Sequence, residues 1–153
     1  MTDWINAQVD RINKEREAKQ LLQGAITKDL TPLWNSLTKA LTDAIQEFNT
    51  AWPGRKPTLE KGIEGDIFRV KVIGTSVELR ITLVRNEPRP DKGVTLFNAQ
   101  GLHYWHQGLD IGQRLMALCI DESGSLRLQL DEKAISEEEV VATLLAPVLS
   151  AVH

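Results

Sequence analysis

The stretch Phe68-Arg69-Val70-Lys71-Val72-Ile73-Gly74-Thr75-Ser76-Val77-Glu78-Leu79-Arg80-Ile81-Thr82-Leu83 holds the clearest fold signal in the chain. Apolar side chains occupy alternate positions, 68, 70 and 72, then 77, 79, 81 and 83, with polar or charged residues between. Successive side chains of a strand point to opposite faces, so a period of two marks two half-buried strands. Gly74-Thr75-Ser76 is the hairpin turn that joins them. One face of the pair is apolar, and the other carries Arg69, Lys71, Glu78 and Arg80.

The same grammar continues downstream. Residues 86–93, with two prolines, predict a loop. Short runs at 94–97 and 102–107 flank Asn98-Ala99-Gln100-Gly101, a second turn. Residues 111–121 are apolar enough for an interior strand, and Glu122-Ser123-Gly124 turns into the alternation of Leu126, Leu128 and Leu130. Six short strands with tight turns predict an antiparallel meander with one buried face. Residues 55–62, with Pro57, Gly62 and mixed charges, read as the loop that leads into it.

On either side of the strands the period changes to 3.6. Leu30, Leu33, Trp34, Leu37, Leu41, Ala44, Ile45 and Phe48 form a continuous helical stripe. Before it come Trp4, Ile5, Val9 and Ile12, then Leu21, Leu22, Ala25 and Ile26, separated by the polar run 13–20. One straight helix over 3–51 would be about 74 Å long, more than a domain of this size covers. A break is therefore expected at Leu30-Thr31-Pro32, with Thr31 as N-cap and Pro32 at the first helical position. The alternative is one kinked helix whose N-terminal arm projects. Trp52-Pro53-Gly54 ends the helical region. At the other end of the chain, Ser136-Glu137-Glu138-Glu139 is a capping box that starts a helix. Val140, Val141, Leu144, Leu145, Val148, Leu149 and Val152 make that helix apolar on about half its circumference, and Pro147 is expected to kink its last turns.

The order predicts an α+β fold. It comprises an N-terminal helical region (two helices or one kinked helix), a six-stranded antiparallel meander and a C-terminal helix packed on one sheet face. We expect a single domain over 1–153, with 1–30 as a projecting helical arm. The net charge of −3 is too small to imply a nucleic-acid partner. It is unevenly spread, since residues 55–92 hold nine Lys/Arg against six Asp/Glu and residues 93–153 hold three against eight. A lone cysteine, Cys119, allows no internal disulfide, and the first residues lack signal-peptide character. No apolar run approaches the roughly 20 residues of a membrane span. A cytoplasmic location and no membrane partner are expected.

No catalytic group, metal site or cofactor motif is expected from the sequence. His103 and His106 lie three apart in a strand, so they point to opposite faces, and no carboxylate or cysteine stands near enough to complete a metal site. His103 and Trp105 share one face, and Tyr104 and His106 the other. With Arg114 these are the candidate ligand-binding residues. Cys119, in an apolar run without a base or cation, reads as a small buried hydrophobe. The pairs Asp121-Glu122 and Asp131-Glu132 read as turn residues. Arg69, Lys71 and Arg80 form a basic stripe able to meet an acidic partner or an anionic ligand, with the aromatics expected elsewhere. Trp4 is expected to anchor contacts at the chain start.

Two functions follow from this reading. The first is a non-enzymatic protein-interaction module, most simply a homodimer joined through helical surface, because one sheet face cannot cover both the 140–152 helix and the 3–30 segment. The second is a small-molecule-binding protein or enzyme with a pocket between a curved sheet and the C-terminal helix.

Overall fold

The fold is given by a computed structural model, which describes residues 2–52, 58–85 and 100–152. It contains helix α1 (Asp3–Ala51), strands β1 (Leu59–Glu64), β2 (Ile67–Val72), β3 (Glu78–Val84), β4 (Gly101–Gln107), β5 (Arg114–Ile120), β6 (Leu126–Leu130) and β7 (Lys133–Ile135), and helix α2 (Glu137–Ser150). The strands form one antiparallel sheet in the order β1-β2-β3-β4-β5-β6-β7. The predicted α+β architecture holds: long helix, meander, C-terminal helix on the sheet.

The alternation sorts the sheet into two faces. Phe68, Val70, Val72, Leu79, Ile81, Leu83, Leu102, Tyr104, His106, Met116, Leu118 and Leu128 are buried on one side, and α1 and α2 pack there. Arg69, Lys71, Arg80 and Trp105 are exposed on the other. Gly101 opens β4 at φ 141°, and a Cβ there would collide with the carbonyl of Met116, so the close approach of β4 and β5 requires glycine.

Two strands differ from expectation. Residues 59–62 belong to β1 rather than a loop. β1 buries only Leu59 and lies at the sheet edge, so it shows no alternation to detect. Asn49 of α1 fixes its start. The Asn49 Nδ2 donates to the Leu59 carbonyl (3.0 Å), and Oδ1 accepts from the Leu59 N–H (3.0 Å) and the Thr58 N–H (3.2 Å). The side-chain amide thus bonds as a neighbouring strand's peptide would. β7, three residues long, was too short for a periodic signal. The run expected at 94–97 lies outside the described residues.

The expected break at residues 30–32 is absent. α1 is one helix of 49 residues with Pro32 inside it. Leu30 and Trp34 are both buried, one turn apart on the same stripe, while Pro32 is exposed. Packing on one continuous surface holds the axis through the proline, whose missing N–H leaves the Lys28 carbonyl without its helical donor. Thr31 does not act as a cap. Its Oγ1 accepts a 2.7 Å bond from Nη1 of Arg85, which also forms a bidentate pair with Asp66 at 2.8 and 2.9 Å.

α2 begins as its sequence predicts. Ser136 Oγ accepts from the Glu139 N–H at 3.1 Å, and the Glu139 carboxylate accepts from the Ser136 N–H, completing the capping box. Val140, Leu144, Leu145 and Val148 are buried, and Val141 and Leu149 pack at the core margin. The wide apolar face is divided between the sheet and α1, so it leaves no large exposed apolar residue on α2.

Candidate interaction surfaces

Backbone register decides which candidate residues meet. Across the open face, Gly62, Arg69, Arg80 and Trp105 are successive cross-strand partners. The next row holds Ile67, Thr82, His103 and Leu115. On the same face, in the row beyond Arg69, Lys71 stands between Glu60 and Glu78. Arg69 and Arg80 thus stand directly opposite each other, an arrangement that costs stability between like charges. A cleft of about 250 Å³ runs here, lined by Arg80, Thr82, His103, Trp105 and Gln113 among others. The expectation that basic and aromatic side chains lie apart fails, because Trp105 flanks Arg80. The two are far apart in sequence, and only the β3–β4 pairing brings them together.

The five ligand-binding candidates do not converge. His103 and Trp105 face outward, whereas Tyr104 and His106 face the helices. His106 is 2% exposed, and its Nε2 lies 2.8 Å from the Leu144 carbonyl of α2. A carbonyl only accepts, so Nε2 carries a proton. Burial, which penalises the imidazolium, holds the His106 pKa below the ordinary histidine value. Tyr104 packs edge-on against it at 5.9 Å, and burial pushes its phenol up. Arg114, exposed at the strand end, pairs with Tyr104 across β4–β5. Midway along the contact between sheet and α2, His106 and Leu144 meet directly, while a cleft of about 380 Å³ opens at its margin between α1, β6 and the start of α2, lined by Leu33, Leu126, Leu128, Ile135 and Val140 among others.

Other singled-out residues have local roles. The Asp121 carboxylate accepts from the Ser123 and Ser125 N–H groups, the Ser123 hydroxyl and Arg127 Nε, which hold it well below the usual carboxylate range. It organises the turn between β5 and β6. Cys119 lies on the open face, part-buried, and burial pushes its thiol up. Among the described residues no group of three or more His, Cys, Asp or Glu is placed to hold a metal ion, and no helix is long and apolar enough to cross a membrane.

The arm of α1 is the remaining surface. Residues 2–21 are exposed apart from Ile5, which is half-buried. Trp4 is 66% exposed, Val9 50%, Ile12 49% and Leu21 68%. Ile5, Val9 and Ile12 continue the core stripe of Ile26, Leu30, Trp34 and Leu37 in steps of three and four, through Arg16, Lys19 and Gln23. Where the arm leaves the body, a groove of about 910 Å³ opens, lined by Arg16, Lys19, Gln23, Arg85 and Gln100 among others. Its walls are tied by Gln23 donating to Gln100 (2.9 Å) and Gln100 donating to the Arg85 carbonyl (2.7 Å).

The outer edge of β1, which no described strand covers, is a weaker candidate for self-pairing. The Ile73 N–H bond to the Thr58 carbonyl sets the ladder phase, so Leu59, Lys61 and Ile63 turn their backbone groups outward. Asn49 occupies those of Leu59. An antiparallel copy centred on Lys61 would oppose Lys61 to Lys61, and one centred on Gly62 would oppose Glu60 to Glu64.

No protein-family model, curated protein or solved structure matches this chain.

Proposed function

We propose that this chain is a cytoplasmic, non-enzymatic protein-interaction module that forms a homodimer through the arm of α1. One observation carries the reading. Trp4, Val9, Ile12 and Leu21 are four of the seven large apolar residues exposed among those described, and all lie on the arm's nineteen residues, 3–21. Isolated exposed apolar residues are ordinary, but Val9 and Ile12 share a stripe with Ile5 and sit beside Trp4. A polar helix would remain soluble in the same place, so the stripe favours a second surface. The α2 face and the sheet's buried face already have their partners within the chain.

Sedimentation of the full chain at micromolar concentration tests this. The wild type is expected to show a dimer mass that dissociates on dilution. A carboxylate buried in the apolar contact is strongly unfavourable, so Val9→Asp and Ile12→Asp should each raise the dissociation constant by at least about tenfold, or 1.4 kcal/mol. A monomer across the whole concentration range, or a dimer indifferent to both substitutions, would remove the arm from the reading.

A further inference from the structure

We infer that the occupant of the arm's apolar stripe is the arm of a second copy, laid antiparallel and centred between Val9 and Ile12. The inference rests on the self-association reading and adds its geometry. Positions 5, 9, 12, 16, 19, 23, 26 and 30 step alternately by four and three, the spacing of a two-helix seam. In an in-register parallel pair each of these meets itself. Ile5, Val9 and Ile12 would form apolar layers, but the next two would set Arg16 against Arg16 and Lys19 against Lys19. Like charges in consecutive seam layers repel with little water to screen them.

Antiparallel packing removes that conflict. Val9 meets Ile12 of the second copy and Ile12 meets its Val9, while Ile5 lies against the aliphatic stem of Arg16, whose guanidinium reaches solvent. Charge along the arm agrees. Residues 2–10 carry Asp3 and Asp10 and no base, whereas residues 11–19 carry four bases (Arg11, Lys14, Arg16, Lys19) and two acids (Glu15, Glu17). Reversing one helix sets the acidic half beside the basic half, and it also opposes the two helix dipoles.

Length fits as well. The exposed arm ends at Leu21, and the body begins at Leu22, which is part-buried, and Ile26, which is buried. Residues 3–21 span about 28 Å at 1.5 Å per residue. With the centre between 9 and 12, residue 3 of one copy lies level with residue 18 of the other. Each tip stops just short of the second body, at the level of Arg16 and Lys19. A parallel pair would instead bring both bodies to the same end. The contact is short against the roughly 1,200–2,000 Å² of a standard interface, so the dimer is weak and concentration-dependent.

Cysteine cross-linking reads the orientation. In a Cys119→Ser background, Ile5→Cys and Arg16→Cys proteins are oxidised separately and as an equimolar mixture. Both substituted sites lie on the exposed or half-exposed arm, and circular dichroism verifies the fold. The expected result is a disulfide dimer in the mixture and loss of that product when either variant is oxidised alone. Dimers formed by each variant alone, and none added by mixing, would overturn the antiparallel arrangement and leave arm association standing. A dimer mass by sedimentation with no cross-link in any sample would place the contact elsewhere and overturn both. A monomer mass for the unsubstituted chain would remove the self-association on which the inference depends.

Discussion

His106 shows how register turns a candidate ligand residue into a core residue. Its neighbours Tyr104, Trp105 and His103 made it part of a chemical cluster in sequence, yet alternation sends it inward to the Leu144 carbonyl. The charged form is disfavoured there chiefly by burial, so the folded pKa lies below the unfolded value of about 6.5. The unfolded chain therefore binds the proton first as pH falls. His106 contributes its full stability above about pH 6.5, and that contribution declines on acidification by at most about 1.4 kcal/mol per pH unit until the folded ring protonates. Urea unfolding between about pH 7 and 5 should show this decline in the wild type and lose it in His106→Leu. An unchanged slope in the variant would assign the effect to another group. The faces of His103 and His106 were legible from their spacing; the acceptor on α2 was not, because a helix carbonyl leaves no trace in sequence.

At the scale of elements, signals that repeat were read correctly and signals that occur once were overruled. The alternation of β2 and β3 and the capping box of α2 each comprise several mutually consistent residues. Thr31-Pro32 is a local start signal, and it lost to the stripe that runs through it from Ile26 to Ile45. A proline inside a helix costs about 3 kcal/mol relative to alanine, and Pro32 is exposed, so its replacement creates no core cavity. Pro32→Ala is accordingly expected to stabilise the protein by about 1–3 kcal/mol, read as a higher urea midpoint with unchanged slope. If Pro32 instead opened a second helix, the same change would be neutral or destabilising. β1 escaped detection for the opposite reason: as an edge strand it has one buried residue, and its order comes from Asn49 of another element.

The whole molecule divides into a body with a shared core and an arm that contributes little to it. Every buried apolar residue of α1 lies at or beyond Ile26. Removing residues 2–15 should therefore leave the unfolding free energy, measured at concentrations where the chain is monomeric, within about 0.5 kcal/mol of the full-length value. Calorimetry on dilute samples checks this, and a loss well beyond that margin would show that the arm packs on its own body. Local patterns alone specify the α+β class, the positions of five strands, the cap of α2 and the separation of His103 from His106. Each of these follows from side-chain periodicity or from bonds between residues a few positions apart. Long-range packing set the rest: α1 runs unbroken through Pro32, α2 exposes no large apolar residue, and Arg69, Arg80 and Trp105 share a row. Those outcomes depend on which surfaces meet, because burial against a distant element outweighs a local helix signal and strand pairing joins residues that no short-range pattern connects.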